Sequence, residues 1–253
     1  MTTTVPLLVV ALAVILVAAE LFTNGVEWAG VRLGLGHGAV GSVLAAFGTA
    51  MPETMIPLIA ILFVGSASAD EVGVGAILGA PFLLSTAAFA VAGAGLYLYG
   101  RRRRHGLRLH LDNSAINRDF TFFFLLYGLG ITCTFLPEHA LKDVVAAFLL
   151  TIYGVYVYRA VSNSGEAGDE EELEPLRLHR IVGGLGPPPT ALVSLQVLAA
   201  LAGIIGGAYL FVQEVDRASD YLSIPPLALA LLISPVATEL PETFNSVIWV
   251  RQG

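Results

Sequence analysis

Charge is scarce in this sequence. Charged side chains make up 13% of its 253 residues, against about 25% in a soluble globular domain. That shortage excludes a soluble enzyme and a disordered chain alike. Lysine is almost missing, with Lys142 the single example, and the net charge is -7. No basic surface is available for a nucleic acid, so none is expected as a partner. One cysteine, Cys133, excludes an internal disulfide framework and a cysteine metal cluster. Phosphate-loop and Ser-His-Asp signatures are absent, so neither ATP-driven nor hydrolytic chemistry is expected. The chain reads as a non-enzyme without a cofactor.

What is present is apolar sequence. Hydrophobic residues reach 56% and the mean hydropathy is +0.77, which predicts a polytopic membrane protein. A bilayer crossing needs about 20 mostly apolar residues. Seven stretches qualify, at 5–30, 37–64, 71–100, 119–137, 139–159, 190–212 and 221–250. Their apolar runs are continuous and not alternating, which rejects a barrel and predicts helices. The fourth and fifth are joined by Leu-Pro-Glu-His and should form a tight hairpin. The fold class is therefore an all-α transmembrane bundle.

Orientation follows from arginine. With the N-terminus outside, Arg32, Arg101 to Arg104, Arg108, Arg118, Arg159, Arg177, Arg180 and Arg251 fall inside, and only Lys142 and Arg217 fall outside. Met-Thr-Thr-Thr has no basic region, so the first stretch reads as a retained helix. Few lysines with abundant Ala and Gly fit a GC-rich prokaryotic genome. The expected location is a prokaryotic plasma membrane, multi-pass, N-terminus outside. Residues 161–189 form the longest polar segment, rich in acids and closed by Pro187-Pro188-Pro189. It reads as a solvated cytoplasmic linker, with a cation sensor as the alternative. The expected division is 1–160, 161–189 and 190–253.

An internal repeat lies across that linker. Phe47–Thr54 and Val236–Thr243 align without a gap at an offset of 189 residues. Thr49, Pro52, Glu53 and Thr54 match Thr238, Pro241, Glu242 and Thr243. The match extends upstream through Leu21-Phe22 with Leu210-Phe211, Val26 with Val215, Ala29 with Ala218 and Leu33 with Leu222. Helices one and two therefore recur as six and seven. Five helices separate the copies, so the second crosses in the opposite sense. Such inverted-topology repeats are the architecture of many secondary transporters.

Each copy carries a glutamate inside its span, Glu53 and Glu242. A charge at the bilayer centre costs about +2.5 to +3.5 kcal/mol, and two repeats bearing that cost argue for use over a merely packed acid. The prolines add to this. Pro52 cannot donate to the carbonyl of Gly48, nor Pro241 to that of Ala237, so each helix should kink and release a carbonyl oxygen. Thr49 and Thr238 lie one turn before the glutamates, on the same face. Carboxylate, hydroxyl and carbonyl oxygens are hard ligands that suit Ca²⁺ or Na⁺. The candidate metal-ligand set is Glu53, Glu242, Thr49, Thr238, Gly48 and Ala237. The second copy adds Glu239 where the first has Ala50, and Asn245 and Ser246 where the first has Ile56 and Pro57. Glu239 is read either as a ligand or as an acid paired elsewhere. Glu20 is read as lining an ion access path or as a paired acid.

These motifs carry a resemblance. Gly48-Thr49-Ala50-Met51-Pro52-Glu53 and Ala237-Thr238-Glu239-Leu240-Pro241-Glu242 resemble the Gly-Thr-Ser-Leu-Pro-Glu cores of the cation/Ca²⁺ exchanger superfamily, which includes the sodium/calcium exchangers. Ala19-Glu20-Leu21-Phe22 with Leu33-Gly34-Leu35 looks like that family's first helix and turn. The resemblance implies ten helices, five per inverted repeat, of which seven are present. It thus implies a longer protein continuing past Gly253. It also implies antiport of Ca²⁺ against Na⁺ or H⁺, with cations and the lipid bilayer as partners and the oligomeric state open. The third helix departs from the pattern. Gly75-Ala76-Ile77-Leu78-Gly79-Ala80-Pro81 keeps two glycines of Gly-Asn-x-x-Gly-Ser-Asn but loses its polar ligands. Ser85 and Thr86 are candidates to compensate, and Gly75 and Gly79 read chiefly as close helix packing. Two alternatives stay open: a degenerate, non-transporting cation binder, and an exchanger for another cation.

Overall fold

Glycine, serine and proline set where the helices stop. Gly65 takes the left-handed conformation that ends one helix, and the hydroxyl of Ser66 accepts from the Ala69 N–H at 3.1 Å to start the next. Pro189 precedes one long helix, and Pro225-Pro226 follows its end. The computed structural model describes residues 3–35, 40–100, 106, 113–163, 173–184 and 186–252. Side chains are described within these except at 41–42, 113–116, 118–119, 160–163, 237, 240–242 and 244–252.

Among the described residues the chain is helical and has no strand. The helices are α1 (Thr4–Arg32), α2 (Ala45–Val64), α3 (Ala67–Tyr99), α4 (Asn113–Thr132), α5 (His139–Asn163), the short α6 (Arg177–Ile181), α7 (Thr190–Leu222) and α8 (Pro226–Gln252). Five of them are long and apolar enough to cross a membrane: α1, α2, α3, α5 and α7. Shorter apolar segments lie at Phe120–Phe135, running from α4 into the 3₁₀ turn after it, and at Pro226–Val236 in α8. The seven expected stretches thus all fall on helices. The chain is an all-α, multi-pass membrane bundle.

Two boundaries differ from the sequence reading. α7 runs ten residues past the expected Val212, because its buried seam outlasts its apolar run. Val215, Ala218 and Ser219 are still buried there, and the Ser219 hydroxyl closes the end by donating to the Ile224 carbonyl at 2.6 Å. α8 accordingly begins later than expected, at Pro226. Glu214, fully buried on this extension, is ion-paired with Arg217 one turn on.

The core is built on α1 against α7. Ala11, Ile15, Ala18, Phe22 and Gly25 are buried at alternating spacings of four and three, a seam pattern. On the facing helix Val193, Gln196, Ala200, Ile204, Gly207 and Phe211 answer it. A Cβ on Gly25 would sit 2.8 Å from Val197, and one on Gly207 the same distance from Ile15. In lipid, such close packing of small residues replaces the hydrophobic drive between helices. α3 packs along α8 in the same way. A Cβ on Gly75 would run into the Leu227 carbonyl, and one on Gly79 would lie 2.7 Å from that of Leu231. The packing reading of both glycines therefore holds. α2 joins the two pairs by touching α1, α3, α7 and α8. The α4–α5 hairpin is joined internally by Phe122 against Tyr156 at 6.0 Å, and α5 meets the rest of the bundle at Val40–Leu44.

A candidate cation site between α1, α2 and α8

α2 is a broken helix. It is preceded by a π turn at Val40–Leu44, is interrupted at Ala50 (ψ 0°), and ends in another π turn at Ala60–Val64. Prolines explain this. Pro52 and Pro57 remove the donors that the carbonyls of Gly48 and Glu53 would use. The expected kink is present, but the Gly48 carbonyl is not left vacant. It accepts a backbone N–H from the cap in a tighter turn. α8 differs again: it is one continuous helix from Pro226 to Gln252 that includes Pro235 and Pro241.

Gly48 itself has a further reason to be glycine. A Cβ there would lie 2.8 Å from the Thr23 Cα of α1. The motif thus brings α2 directly onto α1. Beside that contact opens a cavity of about 490 Å³. Thr49 and Pro52 of the first copy and Thr238 of the second line it, with Leu16, Glu20, Thr23, Asn24 and Glu27 of α1. Thr49 is exposed to it, its hydroxyl donating to the Ala46 carbonyl at 3.1 Å, whereas Thr238 is buried.

The remaining expected ligands distribute as follows. Glu53 is half-buried and Glu239 is buried, and neither is part of the cavity lining. The side chains of Glu242, Ala237, Asn245 and Ser246 lie outside the described residues. Among the described residues, no three His, Cys, Asp or Glu side chains converge as a metal site. Thr54 and Thr243, matched between the copies, act alike: each hydroxyl donates to the carbonyl four residues back, Ala50 or Glu239, at 2.8 Å. Ser85 and Thr86 do not supply the lost helix-three ligands. Both are exposed, both donate to the Phe82 carbonyl of their own helix, and neither reaches the cavity.

Part of the segment expected to be a solvated linker is packed against the bundle. Residues 173–181 lie against α1 and α7 because polar groups there take up the linker backbone. The Asn24 amide oxygen accepts from the Arg177 N–H at 3.0 Å. Trp28 Nε1 donates to the Glu174 carbonyl at 2.9 Å, and Gln196 Oε1 accepts from the Leu178 N–H at 2.8 Å. Gln196 also donates to Asn24 at 3.0 Å, which ties α7 to α1 beneath the strap. Leu176 is fully buried. Glu174 and Arg177 complete the cavity lining. The Arg177 guanidinium bonds both Glu20 and Glu174 at 2.8 Å, so Glu20 is at once a paired acid and a cavity residue. The arginines at 101–104, the acidic residues 169–172 and His37, His105 and His110 lie outside the described residues.

Sequence reasoning missed Thr23, Asn24, Gln196 and Arg177. The available signal was Leu173, Leu176, Leu178 and Ile181, apolar residues spaced through a segment otherwise read as hydrophilic. No curated protein and no solved structure matches the chain. The family model described as "Sodium/calcium exchanger protein" matches residues 3–161 and 192–253, nearly the whole chain. The unmatched gap falls on the linker. Members of this family are membrane transporters that exchange cations, and the apolar bundle, the paired motifs and this match together make the chain a member of the sodium/calcium exchanger family.

Proposed function

We propose that the chain exports Ca²⁺ across a prokaryotic plasma membrane in exchange for Na⁺ or H⁺. One observation carries the reading: residues from both motif copies, Thr49 and Pro52 with Thr238, line one cavity that also holds the carboxylates of Glu20 and Glu27. Glu53 and Glu242 serve as the charged ligands. Thr49, Thr238 and the carbonyl of Ala237 complete the oxygen cage together with the second lone pair of the Gly48 carbonyl, whose first takes the turn N–H, and Glu239, Asn245 and Ser246 add polarity on the α8 side. Two carboxylates balance one divalent ion, and an oxygen-only donor set suits Ca²⁺ over a softer metal. The division into 1–160, 161–189 and 190–253 gives one motif to each repeat and the strap to the linker.

Proton coupling has specific support. A Na⁺ site needs neutral oxygens to replace its water. The third helix carries Ala80 and Pro81 in that place, and Ser85 and Thr86 are not part of the cavity lining. The test is Ca²⁺ flux in vesicles holding the full-length natural protein. The flux is driven first by a Na⁺ gradient and then by a pH gradient, with the membrane potential clamped. Gradient-driven Ca²⁺ uptake supports exchange, and its absence under both gradients rejects it in favour of a non-transporting binder. Sodium-driven flux that ignores the pH gradient rejects the proton. Competition by Mn²⁺ or K⁺ separates an exchanger for another cation.

A further inference from the structure

We propose that Arg177 is a charge gate at the cytoplasmic mouth of the cavity: its guanidinium occupies the place of an arriving cation and must swing away for one to enter. The inference rests on the reading of the cavity as an ion path. It adds a residue, and a mechanism, that this reading does not contain.

The geometry separates a fixed part from a movable one. The strap backbone is held by Asn24, Trp28 and Gln196 at Glu174, Arg177 and Leu178. Asn24, Leu176 and Gln196 are buried. None of these anchors involves the Arg177 guanidinium. That group reaches out to Glu20 of α1 and Glu174 of the strap, at 2.8 Å each; both carboxylates are exposed, while Arg177 is half-buried with its Nε covered. Ion pairs to carboxylates this exposed contribute little. The terminal nitrogen can therefore release both carboxylates while the strap stays seated.

Its position makes it a gate and not a simple clasp. Glu20, Glu27, Glu174 and Arg177 all line the cavity, whose other members are Thr49, Pro52 and Thr238 of the two motifs. Three carboxylates alone would gather cations of any kind. With Arg177 bound to two of them, an incoming ion meets a tethered positive charge and must displace it. A divalent ion gains more from the two carboxylates than a monovalent one, so the same contact favours Ca²⁺ at the mouth. The arginine distribution places this mouth in the cytoplasm, the side from which an exporter loads.

The test uses the full chain with Cys133→Ala and a reporter, Leu16→Cys, which lies on α1 one turn deeper in the cavity than Glu20. Inside-out vesicles are treated with two thiol reagents of equal size, one cationic and one neutral. Arg177→Gln should speed cationic labelling by about three- to tenfold, the scale of losing two exposed ion pairs, and leave neutral labelling unchanged. Arg177→Lys should restore the slow rate. Unchanged cationic labelling in Arg177→Gln overturns the gate. So does equal acceleration of both reagents, which would mean the strap had merely come loose. In flux assays, Arg177→Gln should lower the cytoplasmic-side KM for Ca²⁺ by a similar factor and leave the extracellular-side KM alone. Lack of transport by the parent protein would reject the proposed function, while the labelling result would still decide the gate.

Discussion

α2 and α8 carry the same Thr-x-x-Pro-Glu-Thr pattern, yet they are built differently. α2 breaks at Ala50 and has a π turn at its end, while α8 passes through its own two prolines without interruption. The neighbours account for this. Gly48 of α2 rests on Thr23 of α1, and the lining beside it is open. α8 is gripped along its length by α3, whose Gly75 and Gly79 press on the carbonyls of Leu227 and Leu231. Pro235 deprives the Leu231 carbonyl of its helical donor, and the close approach of Gly79 covers that gap. The difference teaches that one sequence motif can interrupt its helix in one copy, a hinge, and lie inside a continuous helix in the other, a wall.

The largest expected effects test whether the copies share one task despite that difference. Glu53→Gln and Glu242→Gln should each reduce Ca²⁺ flux by at least about 100-fold, because one carboxylate cannot neutralise a dehydrated divalent ion. Flux of the vesicle-reconstituted variants is the measurement. Near-normal activity in either variant would break the equivalence and with it the shared site. Glu239→Gln comes next. Glu239 is buried and stands where the hinge copy has Ala50. A ligand there predicts a KM for Ca²⁺ raised about tenfold, equivalent to about 1.4 kcal/mol. An unchanged KM with lower thermal stability would make it a packing acid of the rigid copy alone.

Stability should also separate the two walls. Gly79→Val forces a Cβ against Leu231 and Pro235, and should cost about 1–3 kcal/mol in thermal unfolding of the detergent-solubilised protein. Gly93→Val, further along the same helix with nothing within 4 Å, should be silent beyond its small propensity effect. Equal melting temperatures for the two would mean that α3 does not grip α8.

The all-helical class, the two motifs and the packing role of the α3 glycines were legible because each rests on local sequence: runs of about 20 apolar residues, an exact spacing of 189, small residues one turn apart. The expected linker was misread for the opposite reason. Its strap is fixed by Asn24, Trp28 and Gln196, more than 140 positions away for the α1 pair, and nothing in a run of glutamates announces such partners. The continuity of α8 was also unreadable locally. Proline by itself predicts a break, and only the close packing of α3 at Leu227, Leu231 and Pro235 shows what supports the first part of the helix on one side. Ser85 and Thr86 show the limit of spacing arguments: one turn beyond the lost ligands, their hydroxyls nonetheless turn back to Phe82.

The smallest effects belong to the threonines, and they probe the comparison most finely. Thr49 and Thr238 both line the cavity, but Thr49 is exposed on the hinge side and Thr238 is buried in the wall. The Thr49 hydroxyl already donates to the Ala46 carbonyl, so its oxygen keeps lone pairs free for a cation while its proton is occupied. Replacing either with Val keeps the shape and removes one neutral oxygen among several. The expected cost is a few-fold rise in the KM for Ca²⁺, consistent with about 0.5–1.5 kcal/mol for a single hydrogen-bond-like contact. The maximal rate should divide the two variants. Thr49→Val leaves the hinge carbonyl of Ala46 with one donor fewer, so it should alter the rate of the conformational step as well as the KM. Thr238→Val sits in an uninterrupted helix and should change the KM alone. Concentration dependence of vesicle flux in the two variants reads both quantities. Identical patterns would mean that hinge and wall are not distinct in the working cycle.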